Sequence, residues 1–517
     1  MNKNFYITTP IFYPSAKPHM GHAYTSILAD VIARFKKIDG FNVYFLTGTD
    51  EHGLKIQRAA EKRNIDPLLF CDELSNSFKQ LTKTLNLSNT DFIRTTEKRH
   101  IKSVQHLWNL LEKNGDIYLS KYSGWYSVSD EAYYAEDEII TKDNKKISTV
   151  SGSVVEWVDE ESYFFRLSKW QDKLLEYYKK NPDFILPVSR KNEVLSFVKN
   201  GLKDLSISRK SFSWGIKVPN NDKHIIYVWL DALTNYLSAL NYPDVESDLY
   251  KKFWPASIHL IGKDILRFHA IYWPAFLLAA NIPLPSRIYG HGWILSGDEK
   301  MSKSKGNILD PIEIIDSYGL DPLRYYLIKE VSFGNDGSIS KQRLENCINS
   351  DLANNFGNLC QRVTVFNEKN CSSMVPEKSE FNEEDLKLLD NFSNNINNIR
   401  NEIDKQNINF YIEFIINSLF DANKYFNDQE PWKKKDDIKR LNTIVFTSLE
   451  VIRKICIMLY PIMPESIIKS LKIFNLNEKD INFSSISNHN YLKVKSKINK
   501  IDILFKKIEK VKVKIND

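Results

Sequence analysis

Residues 5–46 read FYITTPIFYPSAKPHMGHAYTSILADVIARFKKIDGFNVYFL, and this stretch predicts a strand, a loop, a helix and a second strand. The aromatic and β-branched residues of 5–12 are typical of a strand. After a loop rich in proline and glycine, apolar residues recur at helical spacing over 27–35, and Gly40 ends that helix. Residues 43–46 form the second strand. This strand–helix–strand order predicts a parallel, doubly wound α/β sheet.

The rest of the chain divides by its pattern. Its 517 residues are enough for about three to four domains. Residues 116–219 are rich in Tyr, Ser, Trp and acidic residues with short strand-like pieces, which predicts an inserted α+β module. The strand pattern resumes at 225–228, 258–261 and 288–290. Beyond about residue 345 the strand signals fade and a helical domain is expected. Helical spacing there recurs over 386–399, 408–420 and 441–460.

The composition excludes several classes of protein. With 42% hydrophobic and 26% charged residues the chain is typical of a globular protein and not of a disordered one. The longest nearly apolar run, 268–280, is too short to span a bilayer, so no membrane segment is expected. No secretory signal is recognisable at the start of the sequence. Five scattered cysteines without a C-x-x-C pair are typical of a reducing cytoplasm and predict neither disulfides nor a zinc knuckle.

The positive charge is concentrated at the C-terminal end. Residues 491–517 carry nine lysines and three acidic residues, and this excess equals the net charge of +6 of the whole chain. Two interpretations stay open. The tail is either a solvated, partly helical terminus or a weak electrostatic aid in holding a polyanion.

Two histidines flank a glycine in the loop before the first predicted helix, in Pro18-His19-Met20-Gly21-His22. Gly21 lets the backbone approach a ligand closely, and the N-terminus of the helix offers N–H groups and a positive dipole end that suit a phosphate. His19 and His22 can donate hydrogen bonds to phosphate oxygens. The alternative is a pair of surface or metal-binding histidines.

A lysine-rich loop is the second part of the predicted site. Residues 300–307 read KMSKSKGN and follow the predicted strand region 288–295. Its three lysines and two hydroxyl groups can close over a triphosphate, with Lys300 and Lys303 acting as point charges. Taken alone, such a loop is more often merely solvated. Together with the histidine motif, in this order, it favours a nucleotide site.

These two motifs resemble the signatures of the class I aminoacyl-tRNA synthetases. His19-Met20-Gly21-His22 is similar to their HIGH motif, and residues 300–304 match KMSKS. The resemblance implies a Rossmann-like catalytic domain and a two-step reaction. An amino-acid carboxylate attacks the α-phosphate of ATP, which comes with Mg²⁺, and the acyl group then passes to the 3′-terminal ribose of a tRNA. The catalytic residues it implies are His19, His22, Lys300 and Lys303.

The segment 227–236, YVWLDALTNY, resembles the methionyl family of these enzymes. Positions 229, 232, 233 and 236 share one helical face, although such a stripe alone is more often ordinary core. Asp50 follows a predicted strand and would hold the substrate ammonium group, unless it only caps a loop. Aromatic groups suit a thioether. The methionine-binding residues implied are Ile11, Tyr13, Asp50, Trp229, Ala232, Leu233, Tyr236 and His291.

The remaining parts of the nucleotide site also follow from the resemblance. The segment 258–264, IHLIGKD, is similar to the part of the family that meets adenosine. The ATP-binding residues implied are His19, Gly21, His22, Gly262, Asp264, Lys300 and Lys303. One feature departs from many methionyl enzymes, which carry zinc knuckles in the inserted module. Residues 72–346 contain no cysteine, so we expect a module without metal that is held by apolar packing.

The resemblance implies that the helical domain reads the anticodon of methionine tRNA, initiator and elongator alike. Asn355, in the segment 352–359, aligns with an anticodon-contacting asparagine, and Trp432 follows Pro431 in the family's PW element. Stacking on aromatic side chains together with hydrogen bonds to base edges is how proteins recognise single-stranded loop bases. The alternative for Trp432 is a partly buried packing residue.

The sequence patterns and the resemblance together predict six parts of the chain. They are the first half of the Rossmann-like domain (1–115), the connective insertion (116–219), the second half (220–299), the KMSKS loop and stem-contact region (300–350), the all-α anticodon-binding bundle (351–480) and the basic tail (481–517). Few residues follow the bundle, so a cytoplasmic monomer without an obligate protein partner is expected. Two alternatives remain: another class I synthetase or small-molecule nucleotidyltransferase, and an inactive RNA-binding relative.

Overall fold

The structure, a computed structural model, describes residues 3–130, 132–296, 299–300 and 309–509. The chain divides into two units. One unit comprises Asn4–Ala29 and Val43–His291, and the other comprises Lys3, Asp30–Asn42 and the described residues from Gly292 onward.

The strands of the described residues have the following bounds: β1 (Asn4–Phe12), β2 (Asn42–Thr49), β3 (Asp91–Arg94), β4 (Ile117–Ser127), β5 (Ala132–Tyr134), β6 (Ile139–Lys142), β7 (Lys145–Ser148), β8 (Glu156–Phe165), β9 (Ile185–Leu186), β10 (Leu205–Ser206), β11 (Ser208–Arg209), β12 (Lys217–Val218), β13 (Asn221–Ile226), β14 (Ile258–Gly262), β15 (Ile288–His291), β16 (Ile294–Ser296), β17 (Glu299–Lys300) and β18 (Gly337–Ile339).

The α-helices have the following bounds: α1 (Met20–Ile38), α2 (Leu54–Lys62), α3 (Pro67–Thr84), α4 (Lys98–Lys113), α5 (Gln171–Lys180), α6 (Val188–Lys199), α7 (Val228–Leu233), α8 (Asn235–Ser238), α9 (Asp248–Phe253), α10 (Trp273–Ala279), α11 (Pro311–Tyr318), α12 (Leu320–Glu330), α13 (Lys341–Cys347), α14 (Asn358–Asn370), α15 (Glu383–Asp404), α16 (Ile408–Asp428), α17 (Ile438–Leu459) and α18 (Pro464–Leu471). Two π-helical segments, Phe268–Tyr272 and Ile348–Gly357, precede α10 and α14.

The predicted doubly wound sheet is confirmed. Six strands lie in the order β3-β2-β1-β14-β15-β9, and the pairs β2/β3, β1/β14, β14/β15 and β15/β9 are parallel. The strand order therefore reverses between β1 and β14. In open α/β sheets, ligands bind outside the carboxyl ends of the strands at such a switch point. The carboxyl ends of β1 and β14 mark the place where the functional site is expected.

Helix α1 begins directly after the histidine-bearing loop, as its sequence predicts. Ile27, Leu28, Val31 and Ile32 are completely buried. The helix ends at Ile38, and the backbone reverses two residues later at Gly40, whose φ of +82° favours glycine. The start of α1 is thus held in place by the apolar residues that follow it.

The region between α4 and α7 contains the long antiparallel pair β4/β8, extended to a four-stranded sheet in the order β10-β8-β4-β5. A separate hairpin joins β6 to β7, and β13 lies between β11 and β12 in a three-stranded sheet. The two-residue strand β9 comes from this same stretch but pairs with β15 at the edge of the main sheet. The polypeptide of the expected insertion therefore contributes a strand to the main sheet.

The three helical segments predicted near the C-terminus are confirmed as parts of α15, α16 and α17. Helix α16 packs against both neighbours, and α15 is tied to α17 where Arg440 meets the buried carboxylate of Asp385 at 2.5 Å. Within the described part of the chain, no helix is long and apolar enough to cross a membrane.

Candidate functional site

The two histidines of the predicted phosphate site interlock at the start of α1. The backbone N–H of His19 donates to Nδ1 of His22 at 3.0 Å, and that of Gly21 donates to Nδ1 of His19 at 3.1 Å. A nitrogen that accepts a hydrogen bond carries no proton, so each ring keeps its N–H at Nε2. A Cβ atom at position 21 would lie 2.9 Å from Cε1 of His19, so any other residue here would displace the His19 ring.

The His22 ring is held among aromatic side chains at the end of β1. It lies edge-on to Phe12, with ring centroids 4.9 Å apart, and to Phe78, at 5.2 Å, and 3.8 Å from the ring of His19. Burial, followed by the neighbouring charge of His19, holds the pKa of His22 well below its ordinary value. At neutral pH His22 is therefore a neutral hydrogen-bond donor through Nε2, the form needed to bind an anion by donation rather than by charge.

The lysine half of the predicted site is only partly described. The backbone of Lys300 forms β17, where it pairs with Leu295 of β16. Lys303 lies outside the described residues. The roles of Lys300 and Lys303 therefore stay predictions.

The predicted adenosine residues Gly262 and Asp264 lie at the carboxyl end of β14, next to the predicted methionine residue His291 at the end of β15. Gly262 ends β14 and pairs directly with His291, the last residue of β15. A Cβ atom at Gly262 would lie 2.6 Å from Oδ1 of Asp264, so glycine keeps the backbone and this carboxylate in close contact. The Nε2 atom of His291 lies 2.8 Å from Oγ1 of Thr25 on α1. The structure thus brings Gly262, Asp264 and His291 together beside the first turns of α1.

The four predicted pocket residues of the segment 227–236 differ in exposure. Ala232, Leu233 and Tyr236 are buried, and Leu233 belongs to the central core of this unit, which fits the alternative that part of this stripe is ordinary core. Trp229 is only partly buried and stacks on Phe268, with ring centroids 3.6 Å apart and planes 3° from parallel. Its indole nitrogen is buried, and no hydrogen-bond partner for it occurs among the described residues.

Tyr236 belongs to a buried network of histidines that sequence reasoning missed. Its hydroxyl lies 2.7 Å from Nε2 of His269, and its ring stacks on His259 of β14 at 4.0 Å. Because Nδ1 of His269 lies 3.0 Å from the carbonyl of Ile265, which can only accept, Nε2 accepts from Tyr236. Burial lowers the pKa of His269 to about 4 and that of His259 well below its ordinary value. Both rings are neutral at pH 7 and fix the orientation of Tyr236.

The other predicted methionine residues come from the ends of β1 and β2. Ile11 and Tyr13 are partly buried against the same core as Trp229. Asp50 directly follows β2, and its backbone N–H donates to the carbonyl of Phe12 at 2.9 Å. This hydrogen bond places the carboxylate-bearing loop next to the end of β1, beside the ring that contacts His22. The residues predicted to bind the substrate's ammonium, thioether and phosphate groups therefore belong to adjacent elements of the fold.

A second cluster that sequence reasoning missed connects two of these elements. The carboxylate of Asp231, on α7, lies 2.6 Å from Nδ1 of His52 and 2.7 Å from Nε2 of His100. His52 follows Asp50 by two residues. The pattern T-D-E-H-G shows that a histidine is close to Asp50, but only the fold shows which carboxylate it meets.

The two predicted anticodon residues lie in the other unit. Asn355 is in the π-helical segment before α14, where its Oδ1 accepts from Nδ2 of Asn423 at 2.7 Å. Trp432 lies in a short 3-10 helix after Pro431, edge-on to Phe426 at 6.2 Å, and 41% of its surface is exposed. The contact with Phe426 fits a packing role, and the exposed face is available to stack on a base, so both interpretations of Trp432 stay open.

A carboxylate organises hydroxyl groups in the inserted region, for which the sequence predicts a module without metal. Asp130 accepts hydrogen bonds from the hydroxyls of Tyr134 at 2.8 Å, Ser151 at 2.6 Å and Ser153 at 2.8 Å. Tyr126 and Val155 are buried in this region, but the sequence does not predict the hydroxyl cluster. In the described ranges, no group of three or more His, Cys, Asp or Glu side chains is arranged to hold a metal ion.

Comparison with known families assigns both halves of the chain. The family described as tRNA synthetases class I (M) matches residues 5–364, and that described as the anticodon binding domain of methionyl tRNA ligase matches residues 375–515. The methionine–tRNA ligase of Rickettsia conorii is 51% identical over 98% of this chain and 100% of its own length. That of Brucella suis is 50% identical over 91% of this chain and 92% of its own.

Solved structures give the same result. The Mycobacterium tuberculosis methionyl-tRNA synthetase in complex with methionyl-adenylate is 44% identical, with a TM-score of 0.95, over 97% of this chain and 99% of that chain. The apo form of the same protein is 41% identical, with a TM-score of 0.89, over 98% of this chain and 99% of that chain.

Proposed function

Since the chain belongs to the methionine–tRNA ligases among the class I aminoacyl-tRNA synthetases, we propose that it builds methionyl adenylate at the carboxyl ends of β1, β14 and β15. The enzyme activates L-methionine with ATP, releases pyrophosphate and transfers the methionyl group to methionine tRNA. The observation that carries the location is the chain of contacts from His22 through Phe12 to the loop of Asp50.

In the first step, a carboxylate oxygen of methionine forms a bond to the α-phosphorus of ATP as the bond to pyrophosphate breaks. Both reactants bring their own oxygens, so the protein needs no nucleophile and acts by positioning and by stabilising negative charge. His19 and His22 donate from Nε2 to the phosphates, and Lys300 and Lys303 supply positive charge. Mg²⁺ bound to the incoming ATP would neutralise part of the triphosphate charge.

Asp50 holds the methionine ammonium group, and the thioether lies against Trp229 and Tyr236. Sulfur favours contact with aromatic rings, and a polar substrate side chain buried against these rings without a hydrogen-bond partner would be disfavoured. Ile11, Tyr13, Ala232, Leu233 and His291 complete the pocket. Gly262 and Asp264 meet the adenosine.

In the second step, a ribose hydroxyl at the 3′ end of the tRNA attacks the acyl carbon and AMP leaves. Recognition of the anticodon would rest on Asn355 and on stacking against the exposed face of Trp432. We propose that initiator and elongator methionine tRNAs are both substrates, and that the enzyme works in the cytoplasm as a monomer.

We also propose that the connective region contains no structural zinc. Structural zinc sites need four Cys or His ligands, and residues 72–346 contain no cysteine. In the connective region, Asp130 accepts hydrogen bonds from three hydroxyl groups, which supports an organisation of this region without metal. Elemental analysis of the purified full chain tests this point: we expect far less than one zinc per chain, and one zinc per chain would contradict it.

Amino-acid-dependent ATP–pyrophosphate exchange tests the function itself. With each of the twenty amino acids supplied in turn, methionine alone is expected to support rapid exchange, and methionine tRNA transcripts are expected to be charged. Exchange with a different amino acid would favour the alternative of another class I synthetase. No exchange with any of them would favour an inactive RNA-binding relative.

A further inference from the structure

A buried hydrogen bond between a histidine and a carboxylate joins the loop after β2 to helix α7. The Nδ1 atom of His52 lies 2.6 Å from Oδ2 of Asp231. Asp231 is completely buried and His52 is 5% exposed. Helix α7 carries Trp229, Ala232 and Leu233, and the loop carries Asp50, so the pair connects the side chain proposed for the ammonium group with those proposed for the thioether.

His52 is also held through its backbone. Its carbonyl accepts a hydrogen bond from the hydroxyl of Tyr13 at 2.8 Å, and Tyr13 follows β1. The ring of Trp214 lies beside the imidazole, with centroids 5.5 Å apart, and the next backbone N–H, that of Gly53, donates to the carbonyl of Trp214 at 3.2 Å. His52 therefore contacts three parts of the chain that carry the residues proposed to bind methionine or that support these residues.

The second carboxylate oxygen of Asp231 is hydrogen-bonded to another histidine. His100 of α4 lies 2.7 Å from Oδ1 through Nε2, and its Nδ1 lies 3.0 Å from Oγ of Ser238 on α8. Although burial opposes ionisation, the charge of His52 and the hydrogen bonds from His100 and His52 lower the pKa of Asp231. An ionised carboxylate only accepts, so both imidazoles donate to it. The carboxylate is thereby fixed in two directions.

Stability alone is a weak explanation for this arrangement. Replacing a buried carboxylate and its partners by packed apolar residues is often neutral or stabilising, because removing a charge from water is unfavourable. A directional hydrogen bond does what apolar packing does not, since it sets the position of a loop relative to a helix. The cluster therefore fits a role in holding the geometry of the substrate site.

We propose that His52, through its hydrogen bond to Asp231, is a positioning residue for methionine that holds Asp50 at a fixed distance from the aromatic pocket of α7. This inference rests on the proposed function of Asp50 and Trp229. His52 acts on the substrate only through these residues. It takes no part in forming the adenylate or in transferring the methionyl group.

Steady-state ATP–pyrophosphate exchange on the full chain separates positioning from folding. In His52→Ala the KM for methionine should rise about tenfold to a hundredfold, because misplaced binding groups lose affinity steeply, while the KM for ATP changes by less than about twofold. The matched control is His224→Ala, which removes another buried imidazole whose partners are Ser208 and Glu161. It should leave both constants unchanged.

Two isosteric variants keep the test decisive if His52→Ala does not fold. Asparagine places an amide N–H near the position of Nδ1, and glutamine places it near that of Nε2. His52→Asn should keep the KM for methionine within about threefold of the original value, whereas His52→Gln should raise it about tenfold or more. The proposal is overturned if the two variants behave alike, or if both KM values rise together. Absence of methionine-dependent exchange in the unmodified chain would instead refute the proposed function.

Discussion

The Nδ1 atom of His22 accepts a hydrogen bond from the backbone N–H of His19 at 3.0 Å, and this bond determines which nitrogen of His22 can donate. The proton of the neutral ring is on Nε2, and the low pKa of His22 keeps the ring neutral at pH 7. In the proposed site, His22 would therefore act on the phosphates as a neutral hydrogen-bond donor from the α1 side, and the positive charge would come from the lysines of the loop.

Glutamine and asparagine substitutions of His22 distinguish its two nitrogens. His22→Asn keeps a group near Nδ1 and loses the donor near Nε2, so the exchange rate should fall about a hundredfold to a thousandfold, as for loss of one donor to a transition state. His22→Gln keeps a donor near Nε2 and should lose less. Methionine binding, measured by equilibrium dialysis without ATP, serves as the control and should not change. A larger loss in His22→Gln than in His22→Asn would contradict the assignment.

Lys303→Ala should leave the fold intact and slow adenylate formation by about two to three decades, because a charge-assisted contact to the breaking triphosphate is worth about 2–4 kcal/mol. The rate is measured as single-turnover adenylate formation, and circular dichroism checks the fold. Exchange at a nearly normal rate in this variant would show that the loop does not act on the phosphates.

The stability of the chain should fall in mild acid because His269 is buried in its neutral form. Its pKa is lowered from 6.5 to about 4, so between these values the unfolded chain binds more protons than the folded chain. The contribution of His269 is fully present above pH 6.5, falls as the pH drops below that value and levels off below about 4. Urea unfolding of the original chain and of His269→Gln measures it.

In His269→Gln the loss of unfolding free energy between pH 7 and pH 5 should be smaller by about 2 kcal/mol, since the titrating group is gone. Glutamine can still accept from the Tyr236 hydroxyl, so the pocket keeps its shape at neutral pH. An unchanged difference between the two pH values would show that His269 is not held neutral by burial.

Trp432→Ala separates the two interpretations of this residue. If the exposed face stacks on an anticodon base, kcat/KM for tRNA charging should fall about tenfold to a hundredfold, which corresponds to 1–3 kcal/mol per stacked base. Trp432→Phe keeps an aromatic face and should lose much less. Pyrophosphate exchange without tRNA should be the same in both variants. Normal charging by Trp432→Ala would establish the packing role.

The elements that the sequence predicts are those whose buried, apolar residues form a regular pattern along the chain. Helix α1 and helices α15 to α17 show apolar residues at helical spacing because one face of each is buried, and β1, β14 and β15 are short apolar runs between turns. Strand β9 could not be predicted in the same way, because its two residues, Ile185–Leu186, are too few to show a periodic pattern.

The local motifs identified the candidate site, but their supporting contacts were invisible. Asp231 is 179 residues from His52 and 131 from His100, and no spacing rule connects residues at such separations. The hydroxyl cluster around Asp130 is equally hidden, because serine and tyrosine are common in surface loops and only the fold brings them to one carboxylate. Sequence reasoning identified chemically distinctive residues and missed the ordinary ones that hold them.

A crystal structure of the full chain with a non-hydrolysable analogue of methionyl adenylate would show where the substrate binds. We expect the thioether against Trp229 and Tyr236, the ammonium group at Asp50 and the phosphate within hydrogen-bond distance of Nε2 of His22. An analogue bound at another place, with no contact to Asp50 or His22, would contradict this expectation.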